Sequence, residues 1–134
     1  MSRTYLMIKP EIVEAGKQGE IITLLSRNRF KIVRMKQFTF TTEDAKRFYS
    51  IHEGKPFFND LISYITSGPV VGIELEADDA VVKVRELVGA TNPSEARPGT
   101  IRYMYGTDIQ QNAVHASDSD ESAEKELAIV FGEN

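Results

Sequence analysis

The stretch that decides the fold is Arg3–Lys9, which reads RTYLMIK. Its central residues form an unbroken apolar run, and such a run predicts a strand that is covered on both faces of a sheet. A second apolar segment, Val70–Leu75, predicts another central strand. Phe30–Phe40 mixes lysine and arginine with apolar residues and predicts a half-exposed strand near a sheet edge. Asn112–Ala116 predicts a short fourth strand.

Helical patterns separate these strands. Apolar residues recur at helical spacing and predict helices over Gln18–Arg29, Thr41–Ser50 and Phe57–Ser67, a helix that ends at Val88, and a helix over Ser119–Val130. Thr41 and Asp44 fit a capping box at the start of the second helix. Side chains that accept hydrogen bonds from the first turn of a helix are predicted to cap the last two, namely Asp78 or Asp79 and Ser119.

The segment Ala90–Gln111 has no helical or strand period and is interrupted by proline and glycine, so it is predicted to be a long loop, and long loops in compact domains are usually functional. The predicted order is β-α-β-α-α-β-α-loop-β-α. Without the additional helices it is βαββαβ, the ferredoxin-like α+β sandwich, in which helices pack on an antiparallel four-stranded sheet. Residues 1–134 are predicted to form one domain. This arrangement serves many functions and by itself predicts none.

Composition excludes several classes of function. The 134 residues are 41% hydrophobic and 27% charged, which are values of a globular protein. The net charge of -4 gives no indication of nucleic-acid binding, although a local basic pocket stays open. Cysteine is absent, which excludes disulfides and thiolate chemistry. We see no leader and no long apolar run, so we expect a cytoplasmic protein without a membrane partner.

One of only two histidines lies in the stretch Asn112–Ser119, which reads NAVHASDS. Small apolar residues flank His115 and a polar turn follows it. From the residues alone, two interpretations stay open: a packed core histidine, or a nucleophile or acid–base group that acts near pH 7. Glu126 on the following helix favours the second, because a carboxylate can orient the ring. The other histidine, His52, is predicted to be solvated surface.

Cations and aromatic residues add a second pattern. If several of the spread basic residues Lys9, Arg85, Arg97 and Arg102 meet in the fold, they make a polyphosphate clamp; otherwise they are solvated surface. Phe57-Phe58 predicts one core residue and one exposed ring on which a base can stack, or two ordinary core anchors. The glycine-rich phosphate loop and dinucleotide fingerprints are absent, and two histidines without cysteine do not favour a zinc site.

The stretch around His115 resembles the Asn-x-x-His-Gly-Ser-Asp segment of the nucleoside diphosphate kinase family. Further segments resemble that family in the same order and cover nearly the whole chain: Tyr5–Pro10, Lys55–Phe58, Ser67–Val70, Gly89–Pro93, Pro98–Arg102 and Glu121–Glu126. The resemblance departs at Ala116, which stands where the family has glycine, and at Tyr103–Gly106, which differs from the usual Gly-Asp-aromatic sequence. The chain also ends at Asn134, earlier than many members.

The resemblance implies a ping-pong phosphotransferase, in which the γ-phosphate of one nucleoside triphosphate passes to an enzyme histidine and then to a nucleoside diphosphate. By matching positions, His115 is the nucleophile through its Nδ1, and Glu126 and Ser117 hold its ring. The matching phosphate- and ribose-contacting residues are Lys9, Tyr49, Arg85, Thr91, Arg102 and Asn112, of which Lys9 and Tyr49 are also expected to act in catalysis. Phe57 stacks on the base.

The resemblance also implies that magnesium is carried on the nucleotide phosphates, with few or no protein ligands, and that the protein is a homo-oligomer. Two alternatives remain. A nucleotide-binding module would keep the pocket without transferring phosphate, and a structural subunit would bind no nucleotide. The presence of His115, Glu126 and Ser117 together favours the enzyme.

Overall fold

The computed structural model describes residues 1–132, so Glu133 and Asn134 at the end of the chain lie outside the described residues. Its strands are β1 (Ser2–Ile8), β2 (Lys31–Phe38), β3 (Val70–Ala77) and β4 (Val114–Ala116). They form one antiparallel sheet in the order β2-β3-β1-β4. The predicted antiparallel four-stranded α+β fold is therefore confirmed, with the two apolar strands at its centre.

Helices cover both faces of this sheet. They are α1 (Pro10–Glu14), α2 (Gln18–Arg27), α3 (Thr42–Phe48), α4 (Phe58–Ile65), α5 (Ala80–Val88), α6 (Ile101–Tyr105) and α7 (Asp120–Phe131). Leu6 and Ile8 of β1 point into a core built with α2 and α5, whereas Tyr5 and Met7 point into a core built with α3, α4 and α7. This double coverage explains the unbroken apolar run, because alternate side chains enter different cores.

The predicted caps have mixed outcomes. Thr41 accepts a hydrogen bond from the Asp44 N–H at 3.1 Å, and Ser119 accepts one from the Ser122 N–H at 3.1 Å, as predicted. The prediction for α5 is wrong: Asp79 has a positive φ of 51° and its side chain makes no capping hydrogen bond. The hydroxyl of Ser2 instead accepts from the first N–H of α5, at 2.9 Å. Sequence-local rules could not find this cap because Ser2 is distant in the chain.

Two further expectations need correction. The helix α1 was not predicted, since it is only five residues long and begins directly at Pro10. The Ala90–Gln111 loop is not structureless: it contains a 3₁₀ turn at Pro93–Glu95 and the short helix α6. Thr100 begins α6 by accepting a hydrogen bond from the Tyr103 N–H at 3.3 Å. Elements of this length bury too few side chains to show a hydrophobic period in the sequence.

Candidate active site

The predicted site residues converge on one cavity of about 610 Å³ beside the carboxyl end of β1. Its walls include Lys9, Tyr49, Phe57, Arg85, Thr91, Arg102, Asn112, His115 and Glu126. Ser117 does not line the cavity; it is buried and bonded to Glu126. Of the cations considered from sequence, only Arg97 is absent from the walls, and it is exposed.

The site is built around a strained turn directly before β4. Ala113 has a φ of 77° although it is not glycine, and the Val114 N–H donates to the Asn112 carbonyl at 3.0 Å. A hydrogen bond across one residue with positive φ in the middle defines the strained form of the γ-turn. Such strain costs on the order of 1–3 kcal/mol and tends to persist at functional sites. The turn sets the direction in which the chain presents His115, two residues later.

His115 is held on one side of its ring by a buried carboxylate. Its Nε2 lies 2.8 Å from Oε1 of Glu126, and the Ser117 hydroxyl donates to the same oxygen at 2.6 Å. A carboxylate that accepts from Nε2–H leaves the lone pair on Nδ1. Because the side chain of His115 is 21% exposed and lines the cavity, the ring is accessible to a ligand.

Aromatic rings fix the remaining sides of this imidazole. The centroid of His115 lies 5.1 Å from that of Phe48, 6.1 Å from Tyr49 and 6.2 Å from Tyr5. Burial, reinforced by the charge of Glu126, raises the pKa of Tyr49 well above its usual value, so its hydroxyl stays protonated at neutral pH. These contacts therefore restrict rotation of the imidazole ring of His115, the catalytic histidine expected from the sequence.

Lys9 and Asn112 form the floor of the cavity. Both are buried, and the Lys9 ammonium donates to Oδ1 of Asn112 at 2.7 Å and to the carbonyl of Gln110 at 3.0 Å. The Asn112 amide in turn donates to the carbonyls of Thr91 and Ile109, at 3.0 and 2.9 Å. Asn112 thus ties the end of β1 to two parts of the long loop and orients the ammonium group.

Arg102 is a buried guanidinium that is held by backbone carbonyls. Its Nη1 donates to Gly89 at 3.1 Å and its Nη2 donates to Val114 at 3.0 Å. Its Nε is buried and has no hydrogen-bond partner within residues 1–132. Arg85 is exposed as expected for one face of α5, yet it lines the cavity and its Nη1 reaches the Ala116 carbonyl at 3.4 Å. None of the carbonyl partners carries a charge.

Burial and neighbouring cations lower the pKa values of two cations of the cavity. Burial, with a further contribution from Arg102, lowers the pKa of Lys9 to about 8. Burial, with a contribution from Arg85, lowers the pKa of Arg102 to about 10. In the described part of the chain, Lys9, Arg85 and Arg102 make no ion pair with a carboxylate. A site with this charge distribution favours an anionic ligand.

Of the two interpretations that the sequence left open for the aromatic pair, the structure agrees with one core residue and one exposed ring. Phe58 is buried in the core, whereas Phe57 is 46% exposed at the cavity wall. The prediction that His52 is ordinary solvated surface is wrong, because it is half-buried, lines the cavity and has its ring centroid 5.3 Å from that of Phe57. Sequence reasoning also missed Ile109, an exposed apolar residue of the cavity wall. Only the folded loop reveals that it faces this space.

The comparisons with known proteins agree with the geometry. The family model described as nucleoside diphosphate kinase matches residues 2–134. A nucleoside diphosphate kinase from Archaeoglobus fulgidus is 50% identical over 134 residues, which are 100% of this chain and 89% of that protein. One from Desulforamulus reducens is 50% identical over 131 residues, 98% of this chain and 88% of its own.

The chain belongs to the nucleoside diphosphate kinase family. Solved structures lead to the same conclusion: the Aquifex aeolicus enzyme superposes with a TM-score of 0.94 at 44% identity and covers 97% of this chain and 94% of its own. The Halobacterium salinarum enzyme, solved in complex with CDP, gives 0.94 at 42% identity and covers 98% and 88%. The predicted family, enzyme class and fold are confirmed.

Residues 1–132 contain neither a bilayer-spanning helix nor a metal-binding cluster of acidic and histidine side chains. No helix there is both long enough and apolar enough to cross a bilayer. No group of three or more histidine, aspartate or glutamate side chains there is arranged to hold a metal ion. Asp118 at the cavity wall has its pKa lowered by a hydrogen bond from Ser122, so its carboxylate is ionised at neutral pH.

Proposed function

We propose that this protein, as a single domain over residues 1–134, transfers the γ-phosphate of ATP or another nucleoside triphosphate to a nucleoside diphosphate through a phosphohistidine at His115. One observation carries the proposal: the accessible imidazole has its Nε2 bound to a buried carboxylate and faces a cavity with three cations that have no ion-pair partner within residues 1–132. Membership of the nucleoside diphosphate kinase family supports it.

In the first half-reaction, Nδ1 of His115 attacks the γ-phosphorus. A nitrogen–phosphorus bond forms while the bond from phosphorus to the bridging oxygen breaks, and the electron pair leaves with the nucleoside diphosphate. The ring gains positive charge, which Glu126 stabilises through Nε2–H, and Ser117 holds that carboxylate in place. A second nucleoside diphosphate then reverses these steps, so that one site serves donor and acceptor in turn.

The cations would neutralise the charge that develops on the transferred group and on the leaving phosphate. Phosphoryl transfer depends mainly on such positioning and electrostatic stabilisation. Hydrogen bonds to Asn112 and to the Val114 carbonyl hold Lys9 and Arg102 in place. Arg85 is exposed and can adjust to the phosphates. Asn112, Thr91 and Tyr49 surround the same space, and we assign them to the phosphates and ribose.

Magnesium enters this proposal as part of the substrate, bound to the nucleotide phosphates. It would supply further charge neutralisation there. Among the carboxylates at the cavity wall, Glu126 is already bonded to His115 and Ser117. Asp118 is therefore the wall carboxylate that would contact the hydrated ion.

We extend the proposal to the assembly and location of the protein. The outer edge of β2 pairs with no strand within residues 1–132, and an open edge of eight residues favours association. We therefore propose a homo-oligomer, which light scattering coupled to gel filtration would test. Cytoplasmic location is proposed from the lack of cysteine and from the nucleotide substrates, and cell fractionation would test it.

The decisive experiment incubates the protein with γ-labelled ATP and magnesium. We expect a phosphoprotein that is stable in base and labile in acid, and that loses its label when a nucleoside diphosphate is added. His115→Ala should form no phosphoprotein while it still binds nucleotide by calorimetry. A wild-type protein that binds nucleotide but gains no label would be a binding module, and substantial turnover by His115→Ala would remove His115 from the mechanism.

Base stacking has its own test. Phe57→Ala should weaken the binding of ADP, GDP and CDP by similar amounts, about 1–3 kcal/mol each, because every base presents a π-face. Phe57→Tyr keeps the ring and is the matched control, so it should bind all three nearly as the wild type does. A loss that is confined to one base would contradict the stacking role.

A further inference from the structure

A carboxylate outside the cavity connects three elements behind the histidine. Glu11, in the first turn of α1, accepts a hydrogen bond from the backbone N–H of Ala113 with its Oε2, at 3.2 Å. Its Oε1 accepts from the hydroxyl of Tyr64, on α4. Glu11 is absent from the cavity walls, so none of the roles assigned above includes it.

The recipient of this hydrogen bond is the strained residue of the γ-turn. Ala113 is fully buried and has a φ of 77°, and its carbonyl accepts a hydrogen bond from the Lys9 N–H at 2.9 Å. A buried backbone N–H requires an acceptor, and here the acceptor is a side chain from a different element. Without it the turn loses the contact that opposes relaxation to negative φ, and β4 begins in the next residue.

We propose that Glu11 is a positioning residue for phosphoryl transfer: it holds the strained turn that aims His115 and supplies a negative charge close to Lys9. This inference rests on the function proposed above. Glu11 does not line the cavity, and it acts through Ala113 and through the ammonium group. Displacement of a reacting group by about 1 Å can reduce a rate by about a hundredfold, so the turn is a sensitive place to act.

The competing explanation is that Glu11 only stabilises the fold. Acidic residues in the first turn of a helix are favourable in general, and the bridge to Tyr64 connects α1 with α4. A purely structural role predicts a lower melting temperature with unchanged chemistry in the folded fraction. A positioning role predicts a slower chemical step with nearly unchanged nucleotide affinity.

Three variants separate these explanations. Glu11→Ala removes both hydrogen bonds and the charge. Glu11→Gln removes the charge but keeps an oxygen that can accept from Ala113, and its amide can donate to the Tyr64 hydroxyl. Tyr64→Phe removes only the second bond and leaves the contact with Ala113 in place. All three are made in the full chain and compared with the wild type below the melting temperature of the least stable one.

The first readout is phosphohistidine formation in a single turnover with labelled ATP. We expect Glu11→Ala to be slower by about tenfold or more, with its calorimetric affinity for magnesium–ADP changed by less than about threefold. Tyr64→Phe should stay within about threefold of the wild-type rate. A rate for Glu11→Ala within about twofold of the wild type would overturn the inference.

The second readout does not depend on activity. In the wild type, the Ala113 amide should exchange slowly with deuterated solvent, as measured by nuclear magnetic resonance. In Glu11→Ala, the Ala113 amide should exchange much faster than the amides of β1, whereas in Tyr64→Phe it should stay protected. Unchanged protection of that amide in Glu11→Ala would also overturn the inference.

The third readout decides if Glu11→Ala does not fold. Lys9 is faced by Glu11 from α1, by Asp108 and Arg102 from the long loop and its helix, and by the Tyr64 ring, whose centroid lies 5.7 Å from the ammonium. Burial and the charge of Arg102 lower the pKa of Lys9, and the charges of Glu11 and Asp108 raise it. Glu11→Gln should therefore move the alkaline limb of kcat/KM to lower pH, and an unmoved limb overturns the inference.

Failure of this inference differs from failure of the proposed function. If the wild type forms no phosphohistidine, the proposed function fails, and the exchange measurement still tests whether Glu11 holds the turn. If the wild type forms phosphohistidine and Glu11→Ala forms it equally fast, only the positioning role fails.

Discussion

Two clusters of charged residues lie at opposite ends of β1, and they differ in whether their charges are paired with opposite charges. At the start of the strand, Glu74 is only 3% exposed and its two oxygens accept from Arg34, at 2.6 Å, and Arg3, at 3.3 Å. At the other end, Lys9 and Arg102 are also buried, but they donate to carbonyl and amide oxygens. The first cluster neutralises itself, and the second keeps an excess of positive charge.

This difference separates a structural cluster from a binding cluster. A buried ion pair holds strands together and needs nothing further, whereas buried cations that lack an ion-pair partner are stabilised when an anion binds. Burial lowers the pKa of both Lys9 and Arg102, and the neighbouring charges of Arg102 and Arg85, respectively, lower these pKa values further. Removing a charge should therefore reduce stability in one cluster and reduce activity in the other.

The largest expected effect is on catalysis in the cation cluster. Lys9→Met should reduce kcat by about 10²–10³-fold, the cost of losing one electrostatic contact to the transition state. The stability of the free protein should change by less than about 1 kcal/mol, because relief from burying a charge opposes the lost bond to Asn112. Urea unfolding and steady-state kinetics would measure both. Lys83→Met, an exposed position on α5, is the control, and a near-normal kcat for Lys9→Met would break the comparison.

The next effect is on stability in the paired cluster. Glu74→Gln should destabilise the fold by about 2 kcal/mol, the scale of hydrogen bonds to a charged group, and should leave kcat unchanged. Glu76 also binds Arg3, but at the exposed rim, so Glu76→Gln should cost less than about 1 kcal/mol. Both values come from urea unfolding at neutral pH. Equal losses in the two variants would show that burial of Glu74 has no special importance.

The smallest expected effect is the uptake of a fraction of a proton when nucleotide binds. Lys9 has a pKa of about 8 in the free protein, below its usual value, so at that pH about half of the Lys9 side chains are protonated. A bound phosphate favours the charged amine and raises this pKa, so nucleotide binding near pH 8 should take up protons and binding near neutral pH should take up fewer. Calorimetry in buffers of different ionisation enthalpy measures the uptake. Persistence of the same uptake in Lys9→Met would assign it to another group.

The sequence predicts the roles of some residues and not of others. The unbroken run in β1 predicted a central strand, and the Asn112–Ser119 stretch with its companions predicted the family. Arg85 was ambiguous, since its helix face is exposed and only the cavity gives it a possible role. Nothing local to residues 51–55 reveals that the His52 ring lies against Tyr49 and Phe57. No sequence pattern indicates a role for Glu11, since its partners are 53 and 102 positions away.

The sequence alone determined the two-sided burial of β1 and β3, the succession of the four strands with five of the seven described helices, and the family, because these depend on local periodicity and on residues in register. The tertiary structure decided which cations meet without carboxylates and which ring nitrogen of His115 is left for the cavity. It also decided which side chain holds the turn at Ala113. Those features depend on distances between residues far apart in the chain, and no local pattern records them.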